Sequence, residues 1–381
     1  MVETINKVVA ERKCMGCMAC AQVCPKEAII FSLNNFGFFE PKINNNECVR
    51  CGLCFKKCVS INEINREKPF LIKYGWSNNP ATRAKSSSGG AFYEIAKQFI
   101  KNGGVVYGAR LFGSDNLSHI RVDNINDLEL LQGSKYIQSN IGSCLKQILV
   151  DIKSGIRVLF CGTPCQVASV RTIIQSDLLF TIDLVCFGFV SNGAFKIFTK
   201  ALERKYNSNT KNIIFRDSKN NNRMNVTFEN GQSYYCDYRG NPKTGFYALL
   251  HSRAGIKNVC TDCKFASTER LGDITLSDYP YMEANEIDPN KMGVSVIYVN
   301  SKRSEELIKN LNMSLWDSKV NFLEKFTRSY SSEKFYKKVR SFENNYSSFE
   351  NDNTSLLRYC DKINKEGLFS KIKNKLWRFK K

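Results

Sequence analysis

The stretch "CMGCMACAQVCP", residues 14–25, places four cysteines with two, two and three residues between them and a proline after the last. The spacing returns in "CVRCGLCFKKC", residues 48–58, where Val59 replaces the proline. Three thiolates of a Cys-x-x-Cys-x-x-Cys loop wrap round one [4Fe–4S] cube, and the fourth cysteine of such a run ligates a second cube. The spacing therefore predicts two clusters. Their ligands are Cys14, Cys17, Cys20 and Cys58 for the first cluster, and Cys48, Cys51, Cys54 and Cys24 for the second.

Structural zinc and disulfides are the alternatives for these cysteines. The chain has 381 residues and 16 cysteines, with no apolar run of signal-peptide or membrane-spanning length. We therefore expect a cytoplasmic protein, in which clustered cysteines bind metal more often than they form disulfides. Zinc sites rarely use two four-cysteine runs at this spacing. Between the runs, "AIIFSLNNFGFFEPKI" predicts two short strands, so residues 1–66 should form a two-cluster ferredoxin-type domain.

The chain carries a formal net charge of +20. A positive field of this size suits nucleic acid, an anionic membrane or an acidic redox partner. No helix-turn-helix, RNA-binding or zinc-finger pattern accompanies the charge, so the sequence argues against nucleic acid.

Strands alternate with helices after the cysteine runs. Residues 65–85 are predicted to be a linker, and the serines of "SSSGG", residues 86–90, to cap the following helix. Buried strands are predicted at "IRVLFCG" and "LLFTIDLVC", with helices before, between and after them. The pattern predicts an α+β protein, in which the ferredoxin-type domain is followed by a mixed, partly parallel α/β domain.

Further cysteines lie at the predicted strand ends. Cys161 and Cys165 lie where a strand turns into a helix, Cys186 ends the next strand, and "CTDC" supplies Cys260 and Cys263. Because carboxyl ends of parallel strands face one crevice, these thiols could close a third metal site. Structural zinc and a third iron–sulfur cluster both remain open for it. The other cysteines are most simply free thiols: Cys144, Cys236 and Cys360.

Nucleotide-binding signatures are sparse. The sequence contains no Gly-x-Gly-x-x-Gly turn between a strand and a helix and no P-loop, so it does not support a Rossmann nicotinamide site. "SSSGG" opens a helix whose free N–H groups could bind a phosphate, although a plain N-cap is the commoner reason for such a run.

Taken together and in order, several motifs resemble the beta subunits of coenzyme F420-reducing hydrogenases and F420-linked dehydrogenases. This family also includes bacterial proteins linked to polysaccharide gene clusters. The resemblance covers about residues 1–300 and rests on the two cysteine runs and five later motifs. These are "SSSGGAF", "GSKY" at 133–136, "FCGTPCQV", "DLVCFG" and "CTDCKFASTERLGDITLSDY".

The resemblance implies FAD and a third [4Fe–4S] cluster beside it. The implied cluster ligands are Cys165, Cys186, Cys260 and Cys263, and the implied flavin contacts are Ser87, Ser88, Gly89, Gly90, Ser134, Lys135 and Tyr136. It also implies a flavin domain in two parts, residues 67–155 and 156–318. The residues after it, 319–381, are predicted from their own composition to be a basic helical tail. The sequence departs from the family at Phe187, where histidine is frequent, and at "SDYPY".

These parts predict an iron–sulfur flavoprotein oxidoreductase that exchanges electrons between its clusters, FAD and an unidentified small molecule. Lys135 and Tyr136 are weak candidates for catalytic residues. The expected partner is an external electron donor such as a ferredoxin or a redox subunit. The alternatives are a pure electron-transfer subunit without its own substrate and an interaction protein that keeps structural clusters.

The last residues form a separate motif. In "KEGLFSKIKNKLWRFKK", residues 365–381, basic residues surround an apolar, aromatic stripe. Such a helix suits an anionic membrane surface, which would place the protein at the inner face of the membrane. A helix docked on its own domain, or a solvated end, is the alternative.

Overall fold

An eight-stranded mixed sheet forms the centre of the chain. The protein is described here by a computed structural model, which covers residues 2–217, 223–237, 245–280, 284, 286–288, 290–326, 333–352 and 354–363. The strands of this sheet are β3 (Leu71–Ser77), β4 (Val105–Phe112), β5 (Asn116–Val122), β6 (Val158–Gly162), β7 (Leu179–Leu184), β11 (Ile274–Asp278), β12 (Ser295–Val299) and β13 (Met313–Asp317). Their order across the sheet is β13-β3-β12-β11-β7-β6-β4-β5.

The four middle strands, β11, β7, β6 and β4, run parallel, and the flanking strands pair antiparallel. Every residue of β6 is buried, as expected for a strand covered on both faces. The helices of this part are α4 (Pro80–Lys85), α5 (Ala91–Lys101), α6 (Gly142–Lys153), α7 (Pro164–Ile173), α8 (Asn192–Tyr206) and α9 (Phe246–Ser252). The fold therefore confirms the predicted mixed α/β domain.

Two expectations for residues 65–90 were wrong. The predicted linker contains β3 and α4, and β3 lies inside the sheet between β12 and β13. The serines do not cap α5, because Gly90 occupies its N-cap in the left-handed region with φ 91°. Instead Ser86 donates to the Thr82 carbonyl and Ser88 to the Val294 carbonyl. The loop is thereby tied to its neighbours rather than to the helix.

The N-terminal unit packs against the sheet through its helices. It contains α1 (Ile5–Ala10), α2 (Ala19–Gln22), the hairpin of β1 (Ile29–Leu33) and β2 (Phe39–Ile43), and α3 (Leu53–Lys56). Met15 and Met18 share a hydrophobic core with Leu145 of α6 and Val167 of α7. The first cysteine loop is therefore part of the core that covers one face of the sheet.

A second core lies beside the sheet. The three-stranded sheet of β8 (Thr210–Asp217), β9 (Arg223–Phe228) and β10 (Ser233–Cys236) packs there with α8 and α9. The short helix α10 (Leu323–Phe326) precedes a longer one, α11 (Glu333–Asn351). Phe342, Tyr346 and Phe349 of α11 are buried in this core, so α11 is integrated into the fold. The predicted membrane helix at 365–381 lies outside the described residues.

The N-terminal unit and the second core meet closely at Gly193, in the first turn of α8. Its N–H donates to the Gly37 carbonyl at 3.0 Å, and Ser191 donates to the Phe36 carbonyl at 2.6 Å. A Cβ at Gly193 would overlap the Tyr346 hydroxyl and the Gly37 Cα. Only glycine allows the β1–β2 turn, α8 and α11 to approach this closely.

We predict that Gly193→Ala lowers the free energy of unfolding by about 1–3 kcal/mol, because the added methyl overpacks this contact. Denaturant unfolding should show it, and Gly193→Ala/Tyr346→Phe should recover part of the loss since the hydroxyl is removed. A Gly193→Ala variant as stable as the natural chain would contradict the packing described.

Candidate metal and cofactor sites

The four cysteines predicted to hold the first cluster form a buried group: Cys14, Cys17, Cys20 and Cys58. All four thiols are buried. Burial raises the pKa of Cys20 well above its usual value, and the neighbouring Cys17, Cys14 and Cys58 raise it further. The structure thus brings together thiols from both runs, as two-cluster binding requires.

The second group lies nearer the surface. Cys24, Cys48, Cys51 and Cys54 line one depression, together with Pro25 and Gly52. Cys51 is exposed, Cys24 and Cys48 are half-buried, and Cys54 is buried. Burial raises the pKa of the Cys54 thiol, and the neighbouring Cys48 and Cys51 raise it further. The assignment of ligands within both groups stays a prediction, with this geometry to support it.

Equivalent backbone positions of the two loops share one conformation. Gly16 and Arg50 each lie two residues after the first cysteine of their run, with φ of 68° and 52°. Met18 and Gly52 each follow the second cysteine, with φ of 63° and 73°. Left-handed residues in such loops turn successive N–H groups toward one concave side, an arrangement that iron–sulfur and phosphate sites use. The residues present therefore fit a cluster in each loop.

A single metal ion needs its ligands closer together than a four-iron cluster does. In the described part of the chain, no three His, Cys, Asp or Glu side chains converge closely enough to hold one metal ion. A single zinc ion needs its thiolates about 2.3 Å from one point, whereas a cube spreads them around four iron atoms.

A third thiol group lies at the carboxyl edge of the parallel strands. Cys165 begins α7 after β6, Cys186 lies two residues beyond β7, and Cys260 and Cys263 come from the 3₁₀ turn Asn258–Asp262 and its end. The four line one cavity with Phe187. Burial raises the pKa of Cys165 to about 12; the Thr163 hydroxyl opposes this, and Cys186 and Cys263 add to it.

The three groups form a series. Cys20 belongs to one buried cluster with Cys54 of the outer group. Cys17 belongs to another buried cluster with Cys165 of the third group, and Met15 lines the cavity of that group. The inner group therefore lies between a surface group and one at the sheet edge.

A buried ion pair supports the third group. Arg270 and Asp183 are 2% and 0% exposed at their side chains, with Nη2 3.1 Å from Oδ2. Arg270 also donates to the Leu184 carbonyl, and its charge lowers the pKa of Cys186 against the dominant effect of burial. The pair thus holds a positive charge beside these thiols. No motif in the sequence points to this pair.

The candidate flavin contacts divide between two environments. The Ser134 N–H donates to the Ser87 hydroxyl at 2.7 Å, so the "SSSGG" loop and the "GSKY" motif are adjacent. A Cβ at Gly89 would overlap the Gly75 carbonyl of β3. The absence of a side chain at Gly89 therefore lets this loop lie against β3. The Tyr136 ring instead packs edge-on against Phe215 and Tyr247 in the second core. Tyr136 is therefore placed among apolar side chains.

Lys135 lies near Cys161 and His119. Its ammonium donates to the carbonyls of Leu131 and Gln132 at 2.9 and 2.8 Å, and loss of hydration lowers its pKa to about 7. His119, which sequence analysis did not single out, has Nε2 2.9 Å from the Cys161 carbonyl. Since a carbonyl only accepts, Nε2 carries the proton and Nδ1 is an acceptor. In the described structure that buried Nδ1 has no hydrogen-bond partner.

The two departures from the family pattern also have definite positions. Phe187 is 42% exposed and lines the cavity of the third group. Tyr279 follows β11 and packs against Tyr74 and Phe322. The second tyrosine of "SDYPY" lies outside the described residues. In the described part of the chain, no helix is long and apolar enough to cross a membrane.

Two family models match the chain. Residues 13–60 match the 4Fe-4S dicluster domain, and residues 155–316 match the C terminus of the coenzyme F420 hydrogenase/dehydrogenase beta subunit. No curated protein matches the sequence. Among solved structures, the chain is similar to the F420-reducing [NiFe] hydrogenase complex from Methanosarcina barkeri. The identity is 16% over 74% of this chain and 93% of that one, with a TM-score of 0.47.

We predict that Arg270→Gln lowers the free energy of unfolding by about 3–5 kcal/mol, because it leaves the Asp183 carboxylate buried without its partner. Denaturant unfolding of anaerobic protein measures this loss, and Arg270→Gln/Asp183→Asn should recover part of it. The matched control is Arg223→Gln at the more exposed pair with Asp237, which should change stability by at most about 1 kcal/mol. Equal losses of unfolding free energy at the two sites would contradict the larger stabilising role given to the buried pair.

Proposed function

We propose that this chain, which joins a 4Fe–4S dicluster domain to the C-terminal domain of the coenzyme F420 hydrogenase/dehydrogenase beta-subunit family, is an iron–sulfur flavoprotein oxidoreductase. Electrons would pass from the outer cluster through the inner cluster and a third cluster to FAD and a substrate. The observation that carries the proposal is the series of thiol groups, in which Cys17 of the inner group shares a buried cluster with Cys165 of the third group.

The third group supports a cluster by its donor set. Cys165, Cys186, Cys260 and Cys263 supply four thiols around one cavity, and this composition suits [4Fe–4S] as well as zinc. Its proximity to the inner group favours the cluster, because a redox-inactive zinc ion at this point would interrupt the series. Arg270 would offset part of the negative charge that four thiolates bring.

FAD would lie at the carboxyl edge beside the third group. When bound, FAD exchanges single electrons with clusters and electron pairs with organic substrates. The adjacent Ser87 and Ser134 would bind it, and the protonated form of Lys135 would place a positive charge near its ring. The unpartnered Nδ1 of His119 offers a buried acceptor close to Lys135. The substrate remains an unidentified small molecule, and F420 and NADH should be tested as two-electron partners.

The second candidate is an electron-transfer subunit that has no substrate of its own. The position of Tyr136 favours it, because the ring of this expected flavin contact packs between Phe215 and Tyr247. In that case the clusters would pass charge to a partner protein, and purified protein would contain iron but no flavin.

The first test is iron content. Anaerobically prepared protein should contain about twelve iron atoms per chain, four for each of three clusters. Cys263→Ser should lower this to about eight and remove one electron paramagnetic resonance signal, while Cys144→Ser, which changes a buried thiol outside the three groups, should leave both unchanged. About eight iron atoms with one tightly bound zinc in the natural protein would contradict the third cluster.

The second test is flavin binding. FAD should co-purify or bind on reconstitution, and Lys135→Ala should weaken binding or lower the flavin potential because it removes a positive charge. Lys135→Arg keeps the charge and should retain more of both properties. Fluorescence titration and spectroelectrochemistry measure them. Cluster-loaded protein that binds no flavin would favour the electron-transfer subunit instead.

A further inference from the structure

We propose that the surface around Cys51 is a docking site for an acidic protein that delivers one electron at a time. In the step, the carrier loses one electron and the outer cluster gains it, with no proton or bond transferred. The inference deepens the proposed function, since it identifies the entry point of the electron series and the chemistry of the donor.

Exposure of the thiols identifies the entry point. Of the sixteen cysteines, all of which the structure describes, Cys51 alone is exposed. The inner and third groups contain buried or half-buried thiols, such as Cys17 and Cys165. A donor protein therefore comes closest to the series at Cys51.

Apolar side chains surround this thiol. Val49 is 58% exposed, Val2 is 57% exposed and lies against Gly52, and Leu53 is 38% exposed. Val49 and Leu53 line the same depression as the four outer thiols. Exposed apolar groups gathered at one place suit the core of a protein interface.

Basic side chains form the rim of the surface. Lys26 and Arg50 line the depression. Lys56 ends α3 one turn after Leu53, and the exposed Lys57 follows it directly. No ion pair within the described part of the chain involves these four residues. Two nearby acidic residues are already paired, Glu3 with Lys7 and Glu27 with Lys146. Glu47 is a further exposed acidic residue near this surface.

The charge pattern identifies the chemistry of the partner. An apolar centre with a positive rim is complementary to an acidic carrier protein that carries a redox centre near its surface. Opposite charges raise the association rate by about tenfold to a thousandfold, and salt removes this gain. The chain's net charge of +20 adds to the long-range attraction.

The test uses the full-length, cluster-loaded protein. Lys26→Glu/Lys56→Glu/Lys57→Glu is compared with Lys101→Glu/Lys200→Glu/Lys211→Glu, which makes the same change in net charge at exposed lysines outside this surface. Stopped-flow absorbance follows cluster bleaching by a reduced acidic [2Fe–2S] ferredoxin, at low and high salt. Reduced methyl viologen, a small cationic donor, is used in parallel.

We expect the surface variant to lose at least about tenfold in the bimolecular rate with ferredoxin at low salt, and the control variant to change about twofold or less. The rate with methyl viologen should not fall. Equal losses in both variants, a rate that ignores salt, or an equal loss with methyl viologen would overturn the docking site. The docking site would also be overturned if binding to anionic vesicles depended on these lysines while the reduction rate with ferredoxin did not. Failure of the flavin band to bleach afterwards would contradict the proposed function and leave the docking result intact.

Discussion

The rest of the arrangement depends on the packing that buries Cys17 and Cys165 in one cluster. It joins a thiol group held in short N-terminal loops to a group held at the edge of the large sheet. Met15 and Met18 keep the two together, because they pack into the same core as α6 and α7. The N-terminal unit is thus fixed to the sheet by apolar packing, and this packing gives the thiol series a defined geometry.

The third group shows how buried charge and metal chemistry combine. Desolvation raises the pKa of thiols such as Cys165 and Cys186, so they are protonated in the cluster-free chain and must release protons when they bind metal. Arg270 opposes this effect from beside Asp183. The ion pair therefore links β7 to the segment that precedes β11, and it places a positive charge beside the thiols.

Much of this organisation could be predicted from the sequence, because cysteine spacing and apolar periodicity are local signals. The two cysteine runs, the β1–β2 hairpin, β6, α7 and β7 all follow such signals. By contrast, β3 was predicted to be a linker. Lys73 and Gly75 interrupt its apolar pattern, and Lys73 pairs with Asp317 on β13. Such long-range pairings have no local signal in the sequence.

The same limit applies to the candidate site. The pairing of Arg270 with Asp183 spans 87 residues, and the role of His119 depends on the Cys161 carbonyl of another strand. The motifs "SSSGG" and "GSKY" did identify two segments that meet, through Ser87 and Ser134. They could not show that Tyr136, next in the chain, packs into a different core, since that depends on residues far along the sequence.

Flavin reduction by a protein electron donor in a Cys165→Ser variant tests the central claim, which is that electrons reach FAD through the third group. FAD binding is first matched to that of the natural protein, and the clusters are followed by electron paramagnetic resonance. The account predicts that the two N-terminal clusters are reduced as in the natural protein while the flavin stays oxidised. Flavin reduction at the natural rate in this variant would contradict the account.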